Sequence, residues 1–459
     1  MLGILISRED EASVHIGEQL RDVVEWQQRE DTALPDADGG GTVYEREGVQ
    51  LREFDGLHLH LDRPAAAFDD PDLLVFASKH SGETGPLLTA HHTGNFGPAD
   101  HGGADNSLAQ ACPNAHARVL AALEAHAPEG YDVGTECTHH GPTDVGAPSM
   151  FTEVGSDESE WTDPDAARAV SRAILDLRGV DPHREPENGD NWSRRQLVGI
   201  GGGHYAPRFE RAVRETGWRA GHVAADWGLD ALGDPAEPAN QNVLREAFEA
   251  SRAAYALVDG DRPAVERALA DVDCRIVTET WLRETDGVDL SLVRRIEREV
   301  TTVAEGLRFG EPASVVTGEV SADDLEVLDI PAALLDEARR IDREATYNAL
   351  AETAVAFDTD QGGTRPAGTV VLPGGSDRER VLDRLLGVLR QRYDSVEHDG
   401  DVVVAREEAF DPERARTLGV PEGPAFGRLA DGEAVEVDGE RIPPEVVREE
   451  RERRFSLRD

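Results

Sequence analysis

The chain has 459 residues, 39% of them hydrophobic and 5% aromatic, which is long enough for two or three domains and too apolar for a disordered protein. Its 47 basic and 92 acidic residues give a formal net charge of −45, and Lys79 is the single lysine. Molar salt screens the self-repulsion of such a surface, because the Debye length there falls to about 3 Å. We therefore expect a protein of a halophilic archaeon.

The cysteines and the apolar runs exclude several further classes of protein. Three cysteines without C-x-x-C spacing predict neither a disulfide framework nor a zinc ribbon. The N-terminal residues turn acidic after only a few positions, which is not typical of a signal peptide. No apolar run approaches the length of a membrane span, so we expect a cytoplasmic protein.

Short runs rich in Leu, Ile and Val recur in the first part of the chain and predict strands. The runs are Leu2–Ile6, Leu57–Leu61, Leu73–Ala77, Leu87–Ala90, Leu197–Ile200, His222–Ala225 and Tyr255–Val258. Helical periodicity separates several of them: it starts after Asp163, a typical N-cap residue, and recurs from Val243 to Ala254. Strands that alternate with helices predict an α/β fold with a largely buried sheet.

Gly, Pro and acidic residues cluster in three segments and predict loops. These segments are Asp36–Thr42, Gly155–Glu160 and Asp181–Asp190. We expect the first two to be acidic insertions on the surface. Later in the chain the Gly-rich loops thin out and amphipathic stretches such as Arg378–Arg392 take over. This change predicts a boundary that separates residues 1–290 from residues 291–459.

Three segments rich in Gly, Pro and Thr hold most of the histidines that stand next to predicted strands. They are Ala77–Gly103, Gly134–Pro142 and Gly199–Arg208. Loops at strand ends are where α/β proteins build their sites, so the segments predict one functional site. Glu136, His139 and His140 are of the ligand types that zinc accepts, although a His–His pair in a turn is also typical of a solvated loop.

Two further features lie beside these histidines. The triple glycine before His204 would let the backbone approach a substrate and expose N–H groups to an anion, but an ordinary turn explains the same glycines. Lys79 precedes His80 in a chain that otherwise uses arginine, and its compact ammonium differs in kind from a guanidinium. A role in the site is one interpretation of Lys79, and chance survival of a single lysine is the other.

The histidine segments together resemble the archaeal and plant type of D-aminoacyl-tRNA deacylase. The motifs that carry the resemblance are Ser78-Lys79-His80-Ser81, Leu88-Thr89-Ala90-His91, Thr93-Gly94-Asn95, Thr138-His139-His140-Gly141-Pro142 and Gly201-Gly202-Gly203-His204-Tyr205-Ala206-Pro207-Arg208. The resemblance implies an α/β phosphorylase/hydrolase-like core, with a mixed sheet flanked by helices, similar to peptidyl-tRNA hydrolase. We expect residues 1–290 to be the catalytic region and residues 291–459 to be an α+β accessory region.

The resemblance also implies a function, a cofactor and a partner. The function is hydrolysis of the ester between a D-amino acid and tRNA, with Zn²⁺ as the cofactor and tRNA as the partner; we expect no DNA, no membrane and a monomer. The expected catalytic residues are Lys79, His80, His91 and His204. The expected metal ligands are Glu136, His139 and His140. The expected substrate contacts are Thr93, Asn95, Gly202, Gly203, Tyr205, Arg208, Arg194 and Arg195.

Local charge bears on how so acidic a chain would bind tRNA. Between Asn191 and Gly221 the arginines outnumber the glutamates, which gives this segment a positive charge. The arginines are Arg194, Arg195, Arg208, Arg211, Arg214 and Arg219. They predict a face that contacts phosphates, with shape and hydrogen bonds carrying more of the affinity in molar salt. The equal alternative is a set of arginines that pair with acidic neighbours.

Other functions remain open at this point. A peptidyl-tRNA hydrolase or a nucleoside phosphorylase-like enzyme is suggested by fold analogy alone, and a non-catalytic tRNA-binding protein is a third alternative. The segment Leu418–Val446 resembles a short segment of the tRNA 3′-processing ribonuclease Z, but the H-x-H-x-D-H metal motif of that enzyme is absent. We expect this part of the accessory region to dock tRNA, or to be a turn-rich β structure without a ligand.

Overall fold

The computed structural model describes residues 1–187, 189–316, 325–374 and 377–458, which fold as two compact units, Met1–Asp286 and Gly287–Asp459. The strands of the first unit are β1 (Leu2–Ser7), β2 (Gln27–Asp31), β3 (Gly41–Arg46), β4 (Val49–Phe54), β5 (Leu73–Lys79), β6 (Leu87–His91), β7 (Gly94–Asn95), β8 (Ser107–Leu108), β9 (Asp132–Thr135), β10 (Ser149–Gly155), β11 (Gln196–Ile200), β12 (Arg219–Ala224), β13 (Tyr255–Val258) and β14 (Arg275–Val277). Its helices are α1 (Glu11–Val23), α2 (Pro113–His126), α3 (Glu158–Trp161), α4 (Pro164–Leu175), α5 (Pro207–Glu215), α6 (Asp226–Leu232), α7 (Pro238–Ala250), α8 (Pro263–Leu269) and α9 (Glu279–Glu284).

An eight-stranded mixed sheet forms the centre of the first unit, in the order β2-β3-β4-β1-β5-β10-β6-β9. β10 pairs in parallel with β5 and antiparallel with β6. Helices α1, α2 and α4 cover one face, where their apolar side chains join those of β1 and β5 in a single core. Phe76 and Phe151 pack on the other face, so the central strands are buried on both sides and consist of nearly continuous apolar residues. This architecture confirms the predicted α/β class with a mixed sheet flanked by helices.

A second, parallel sheet in the order β12-β11-β13-β14 lies next to the large one. Helix α2 contacts β6 of the first sheet and β12 of the second. An isolated antiparallel bridge between Glu136 and Tyr205 joins the loop after β9 to the loop after β11. In this bridge the Cys137 N–H donates to the His204 carbonyl at 2.8 Å. The two sheets therefore present their connecting loops to each other.

Most of the predicted elements of the first unit are present. The predicted strands Leu2–Ile6, Leu73–Ala77, Leu87–Ala90, Leu197–Ile200 and Tyr255–Val258 fall within observed strands, and the predicted strand His222–Ala225 overlaps β12. Helix α4 begins at Pro164 with the side chain of Asp163 as its N-cap, as predicted. The predicted loop Asp181–Asp190 has no helix or strand among its described residues, and residue 188 lies outside them.

The predicted strand Leu57–Leu61 is wrong. This segment forms a short 3₁₀ turn at His58–His60. The side chain of His58 is buried, with its ring centroid 4.9 Å from that of Phe151. The alternation of leucine and histidine therefore reflects a turn that inserts one histidine into the core, and not a strand with one buried face.

The segment Gly155–Glu160 was expected to be an acidic surface insertion, and this prediction is also wrong. Gly155 is the last residue of β10 and is buried. The carboxylate of Glu160 accepts the N–H groups of Ser156 and Asp157, each at 3.0 Å, and so caps helix α3. The acidic residues satisfy the donors at a helix N-terminus, which is a local structural use of their charge.

The second unit combines antiparallel strands with helices. Its strands are β15 (Arg308–Phe309), β16 (Glu326–Asp329), β17 (Ala356–Asp360), β18 (Arg365–Leu372), β19 (Ser395–Asp399), β20 (Val402–Phe410), β21 (Val435–Val437), β22 (Glu440–Ile442) and β23 (Arg448–Ser456). Its helices are α10 (Leu290–Glu299), α11 (Ala332–Ile341), α12 (Arg343–Ala351), α13 (Asp377–Leu389), α14 (Pro412–Thr417) and α15 (Pro424–Ala430). The amphipathic stretch Arg378–Arg392 lies largely in α13, and the segment Leu418–Val446 contains α15 and the hairpin β21–β22. Throughout the described ranges, no helix has both the length and the apolar character needed to span a membrane.

Candidate active site

Five chain segments meet at one place in the first unit and bring its buried polar side chains together. They contribute Lys79 and His80, then His91, then Glu136 to His140, then Glu153, then His204 and Tyr205. Strand β10 places Glu153 between β5 and β6, opposite Ser78 and Thr89. The bridge between the loops after β9 and β11 brings His204 to Glu136. The three histidine-bearing segments of the sequence therefore belong to one cluster.

Glu136 lies at the centre of this cluster and is fully buried. Its Oε2 accepts a hydrogen bond from His204 Nε2 at 2.7 Å, and its Oε1 lies 3.2 Å from His80 Nδ1. Burial opposes the charge of this carboxylate, but the bonds from His204 and His80 hold the pKa of Glu136 well below its usual value. Glu136 is therefore an anion at neutral pH and is surrounded by imidazoles.

His80 lies between two buried carboxylates. Its Nδ1 is 3.7 Å from Glu153 Oε2 as well as within ion-pair distance of Glu136, and its Nε2 lies 2.9 Å from the Tyr205 hydroxyl. Burial lowers the pKa of His80, but the bonds to Glu136 and Glu153 outweigh it and raise this pKa to about 11. His80 is therefore an imidazolium, with Nδ1–H directed to the carboxylates and Nε2–H donated to Tyr205.

A second set of imidazoles converges beside the first. One nitrogen from each of His91, His139 and His140 lies within 4.8 Å of the others. In all three rings Nδ1–H donates to a backbone carbonyl, at 3.1 Å for His91, 2.9 Å for His139 and 3.0 Å for His140. These bonds fix the tautomer and leave Nε2 as the available lone pair. His140 also has φ +46°, a left-handed conformation that is uncommon outside glycine and is often found at functional sites.

The charge states of His139 and His140 also suit ligation, whereas at His91 the neighbouring Glu153 outweighs burial and raises the pKa above its usual value. Burial, together with neighbouring imidazoles, lowers the pKa of His139 to about 3 and that of His140 well below its usual value, so both rings are neutral. The buried Nε2 of His91 has no hydrogen-bond partner among the described residues and lies 3.6 Å from Glu153 Oε1. Neutral imidazoles with Nδ1 bound to carbonyls are the usual form of histidine at a metal.

The residues present therefore fit a zinc ion. His139 and His140 converge with His91, which was expected to be catalytic, while Glu136 Oε2 lies 3.7 Å from His139 Nε2 and itself converges with His80 and Glu153. Ligation by Glu136 stays a prediction. A second convergent set, Cys137 with His139 and His204, shares His139 with the first. Thiolate and imidazole are both ligand types that zinc accepts.

A cavity of about 560 Å³ opens over this cluster. Its described lining residues are Leu59, Lys79, His80, Ser81, Asn95, Pro98, Asp100, His101, His139, His140, Glu153, His204 and Trp227. The side chain of His204 is 36% exposed and that of Glu136 is completely buried, so the pair connects the cavity with the buried carboxylate. The wall of the cavity therefore presents several imidazoles to a substrate group.

Lys79 is the last residue of β5 and lines the cavity. Its Nζ lies 4.9 Å from the ring centroid of Trp161, and the Trp161 indole N–H donates to the His80 carbonyl at 2.8 Å. A cation–π contact of this kind holds the ammonium in place without neutralising its charge. The backbone N–H of Lys79 donates to Asp10 Oδ2 at 3.2 Å, which fixes the end of the strand.

The expected substrate contacts are placed in different ways. Asn95 lines the cavity, but its amide donates to the carbonyls of Gly102 and Ala104, at 2.9 and 3.2 Å, and so organises the loop. Thr93 is fully buried. Gly202 has φ +84°, and its carbonyl accepts the Asp226 N–H at 2.9 Å, so this glycine is needed for the turn itself. Gly203 and Tyr205 follow in the same loop and lead into α5.

The six arginines of the positive segment are mostly engaged within the fold. Arg208 pairs with Asp259 and Glu279, and Arg211 and Arg214 also pair with glutamates. Arg219 has its guanidinium bonded to the Trp218 carbonyl. The structure thus favours the alternative in which these arginines neutralise acidic neighbours.

Arg194 and Arg195 differ from each other in exposure. Arg195 is 5% exposed, pairs with Glu187 at 2.8 Å and donates to the Thr285 carbonyl. Its expected contact with a phosphate stays a prediction, and that contact would have to break the ion pair with Glu187. Arg194 is half-buried and donates to the Arg184 carbonyl and to Asn191, so its contact with substrate stays a prediction.

Sequence reasoning did not identify Glu153, although one signal was present. Glu153 is the single charged residue in the otherwise uncharged strand Ser149–Gly155, and a charge is rarely buried without a partner. Its partners, His80 and His91, come from the ends of β5 and β6. Their proximity depends on the strand order, which no local pattern contains.

Comparison with known proteins agrees with the geometry. The family model described as D-aminoacyl-tRNA deacylase matches residues 67–277. A D-aminoacyl-tRNA deacylase of Haloarcula marismortui is 54% identical over 459 residues and covers 100% of both chains. Proteins of the same name from Natronomonas pharaonis and Halorubrum lacusprofundi are each 51% identical, cover 100% of this chain and are themselves covered over 100% and 97%. These genera are haloarchaeal, in agreement with the acidic composition.

Similarity to solved structures also supports the fold. The crystal structure of a conserved protein of unknown function matches with a TM-score of 0.53 and 27% identity. The match covers 62% of this chain and 98% of the other. It supports the α/β fold described above.

Proposed function

The chain belongs to the D-aminoacyl-tRNA deacylase family, and we propose that it hydrolyses the ester of D-aminoacyl-tRNA at the cluster around Glu136. The observation that carries the proposal is the 2.7 Å hydrogen bond between Glu136 and His204, which joins a buried anion to an imidazole on the cavity wall. Ester hydrolysis needs an activated water, a group that stabilises the oxyanion and a proton donor for the leaving ribose oxygen.

His204 is the general base in this proposal. Its Nε2–H donates to Glu136, so Nδ1 carries the lone pair of the ring; its contact there is the weak thiol donor of Cys137, with Sγ at 3.9 Å, which a water can replace to give up its proton. Glu136 fixes the tautomer and stabilises the imidazolium that forms, as the carboxylate does in a catalytic triad. The water oxygen then bonds to the ester carbon, the bond from that carbon to the ribose oxygen breaks, and the proton on His204 passes to the ribose oxygen.

His80 and Lys79 supply positive charge beside the ester. The imidazolium of His80 is held by Glu136 and Glu153 and lines the cavity with the ammonium of Lys79. Positive groups that are fixed before the reaction stabilise the negative charge that develops on the carbonyl oxygen. Tyr205 accepts from His80, which leaves its own O–H able to donate to the substrate.

We propose His91, His139 and His140 as the residues that would hold Zn²⁺. When bound, zinc would supply Lewis acidity and a water of pKa about 7 next to the ester. The remaining contribution of the chain is to orient the three imidazoles through their bonds to backbone carbonyls and to keep the rings of His139 and His140 neutral. Glu153 faces His91 from the neighbouring strand and balances charge at this position.

Cys137 offers a second route, with a thiol as the nucleophile, but its environment opposes it. Its Sγ lies 3.9 Å from His204 Nδ1, yet the side chain is completely buried. Burial and the nearby charge of Glu136 raise the pKa of the Cys137 thiol to about 12, and a thiol is a poor nucleophile when it is not ionised. We therefore propose direct attack by water.

The experiment that tests the proposal compares several tRNA esters in molar KCl. We expect the wild type to release the amino acid from D-tyrosyl-tRNA, to spare L-tyrosyl-tRNA, and to leave peptidyl-tRNA and nucleoside with phosphate unchanged. Equal rates on the D- and L-esters would contradict the proposal. Turnover of peptidyl-tRNA alone would favour a peptidyl-tRNA hydrolase, and tRNA binding without any turnover would favour a non-catalytic protein.

A further inference from the structure

Trp227 stands out among the exposed side chains of the first unit. It is 49% exposed, and Ile276, at 41%, is the other large apolar side chain of comparable exposure in the described part of this unit. Of the two, Trp227 lines the cavity over the histidine cluster. Large exposed aromatic residues at a cavity commonly mark a binding surface.

The backbone at Trp227 is fixed relative to the site. Trp227 is the second residue of helix α6 and lines the same cavity as His204. The preceding residue, Asp226, donates its backbone N–H to the Gly202 carbonyl and pairs with Arg262. The start of helix α6 is thus anchored to the loop that carries His204, and the exposed ring of Trp227 is available to a ligand.

The other aromatic rings near the cluster are already in use. Tyr205 is bonded to His80, and the ring of Trp161 lies against the Lys79 ammonium. Apart from histidine, Trp227 is the only aromatic residue among the described residues that line the cavity. Apart from the imidazoles, a planar ligand that enters the cavity therefore has the ring of Trp227 on which to stack.

We propose that Trp227 stacks on the adenine of the 3′-terminal nucleotide of tRNA. The inference rests on the proposed function, in which the scissile ester is carried by the ribose of that same nucleotide. Base and ester are therefore joined through one sugar, and Trp227 and His204 line one cavity, so the two parts of a single nucleotide can be held there together. Stacking on aromatic side chains is the usual way in which proteins hold an unpaired base.

The molar salt that the acidic composition indicates also favours the proposed stacking on Trp227. Phosphate contacts lose affinity steeply as salt rises, because they depend on counterion release. Most arginines of the positive segment are also committed to ion pairs within the protein. Burial of an apolar ring against a base keeps its strength in molar salt. An acidic protein of this kind therefore gains most from stacking at the one place where the base must be held.

The test measures binding of uncharged tRNA with and without its terminal adenosine, in molar KCl, and does not depend on turnover. We expect the wild type to bind the complete tRNA about 10-fold to 100-fold more tightly than the tRNA without that adenosine. Trp227→Leu is expected to abolish this ratio, and Trp227→Phe to keep most of it. Ile276→Ala, which removes an exposed apolar side chain elsewhere, should leave the ratio unchanged.

Kinetics separate this proposal from the proposed function. With D-tyrosyl-tRNA, Trp227→Leu should raise KM by the same factor as the lost binding ratio and change kcat little. A wild type without a binding ratio, or a Trp227→Leu variant that keeps it, would overturn the stacking proposal. A wild type that shows the ratio but leaves D-tyrosyl-tRNA intact would instead overturn the proposed function. Loss of the ratio in Trp227→Phe as well as in Trp227→Leu would assign the residue a structural role and also overturn the proposal.

Discussion

The two units each bury a carboxylate, and they surround it with different partners. In the second unit Glu337 is 3% exposed and contacts Arg340, Arg453 and the hydroxyl of Tyr393 at 2.8 Å. In the first unit Glu136 is surrounded by imidazoles. Guanidinium groups keep their charge at any pH at which the protein is folded, whereas imidazoles gain and lose protons near neutrality.

The difference shows which buried charge serves the fold and which serves chemistry. Two of the partners of Glu337, Arg340 and Arg453, carry a permanent positive charge that balances the carboxylate. The charge around Glu337 therefore stays the same near neutral pH. The partners of Glu136 include His204, which reaches the cavity, and His80, which is bonded onward to Tyr205. When His204 takes a proton from the cavity, the imidazolium that forms is therefore stabilised by the prepared anion of Glu136.

The largest effect is expected when the charge of Glu136 is removed. Glu136→Gln keeps the shape of the side chain but no longer fixes the tautomer of His204 or stabilises its imidazolium. We expect kcat on D-tyrosyl-tRNA to fall by about 10³-fold to 10⁴-fold, with the melting temperature largely retained. Glu337→Gln is the matched control and should keep near-normal kcat. Equal losses of activity in both variants would show that the two centres do not differ in function.

Removal of zinc should lower the activity of the histidine cluster around Glu136 and leave the surroundings of Glu337 unchanged. Treatment with a chelator is expected to lower the rate on D-tyrosyl-tRNA by at least about 100-fold, since both the Lewis acid and the activated water are lost. His139→Ala should lower the zinc content of protein purified without chelator. His183→Ala, which removes a buried histidine bonded to Gln196, serves as the control and should keep the metal. Full activity in metal-free protein would leave His91, His139 and His140 as hydrogen-bonding groups only.

Lys79 tests whether the positive charge on the cavity wall has to be an ammonium. Lys79→Arg keeps the charge and the contact with Trp161 but enlarges the head group, and a displaced catalytic contact can be very costly. We expect a fall of about 10-fold to 100-fold in kcat/KM. Arg275→Lys makes the reverse exchange over Trp281, where the guanidinium lies 4.8 Å from the ring centroid, and should leave activity unchanged. Normal activity in Lys79→Arg would make this lysine a structural residue.

Glu337 and its partners should affect the free energy of unfolding rather than the activity. Burial raises the pKa of Glu337, but Arg340, Tyr393 and Arg453 outweigh it and lower this pKa from 4.5 to about 2. A lowered folded-state pKa contributes stability above pH 4.5 that is lost as the pH falls toward 2. Because Arg340 and Arg453 are half-exposed, we expect Glu337→Gln to cost only about 1–3 kcal/mol at neutral pH.

Unfolding by denaturant at several pH values measures this contribution. The difference in the free energy of unfolding between the wild type and Glu337→Gln should shrink as the pH falls through the window below 4.5. A difference that stays constant down to acid pH would contradict the assignment of Glu337 as a charged structural anchor.

The sequence predicted those parts of the site that lie in local motifs. His80, His139, His140 and His204 stand in loops after strands, His91 ends strand β6, and all five reach the cluster. The family resemblance added the reaction, which spacing alone left open. The class of the fold followed from alternating strands and helices, because each pattern is set by neighbouring residues.

The remainder depended on contacts between distant segments. Glu153 acquires its role from the order β5-β10-β6, which no run of residues contains. In the same way, His91 reaches His139 and His140 from the end of β6, and the bridge to Tyr205 brings His204 to Glu136. A local excess of charge likewise says nothing about ion pairs formed across the fold. Arg208, for example, finds Asp259 and Glu279 far along the chain.

The most direct test of the account is a double-mutant cycle on Glu136 and His204, measured as the single-turnover rate of D-tyrosyl-tRNA hydrolysis at saturating protein. Residues that act as one catalytic unit are strongly non-additive, because loss of either partner already disables the pair. We predict that Glu136→Gln with His204→Ala is no slower than the slower of the two single variants, within about 3-fold. Losses that multiply in the double variant would contradict the account, since Glu136 and His204 would then act independently.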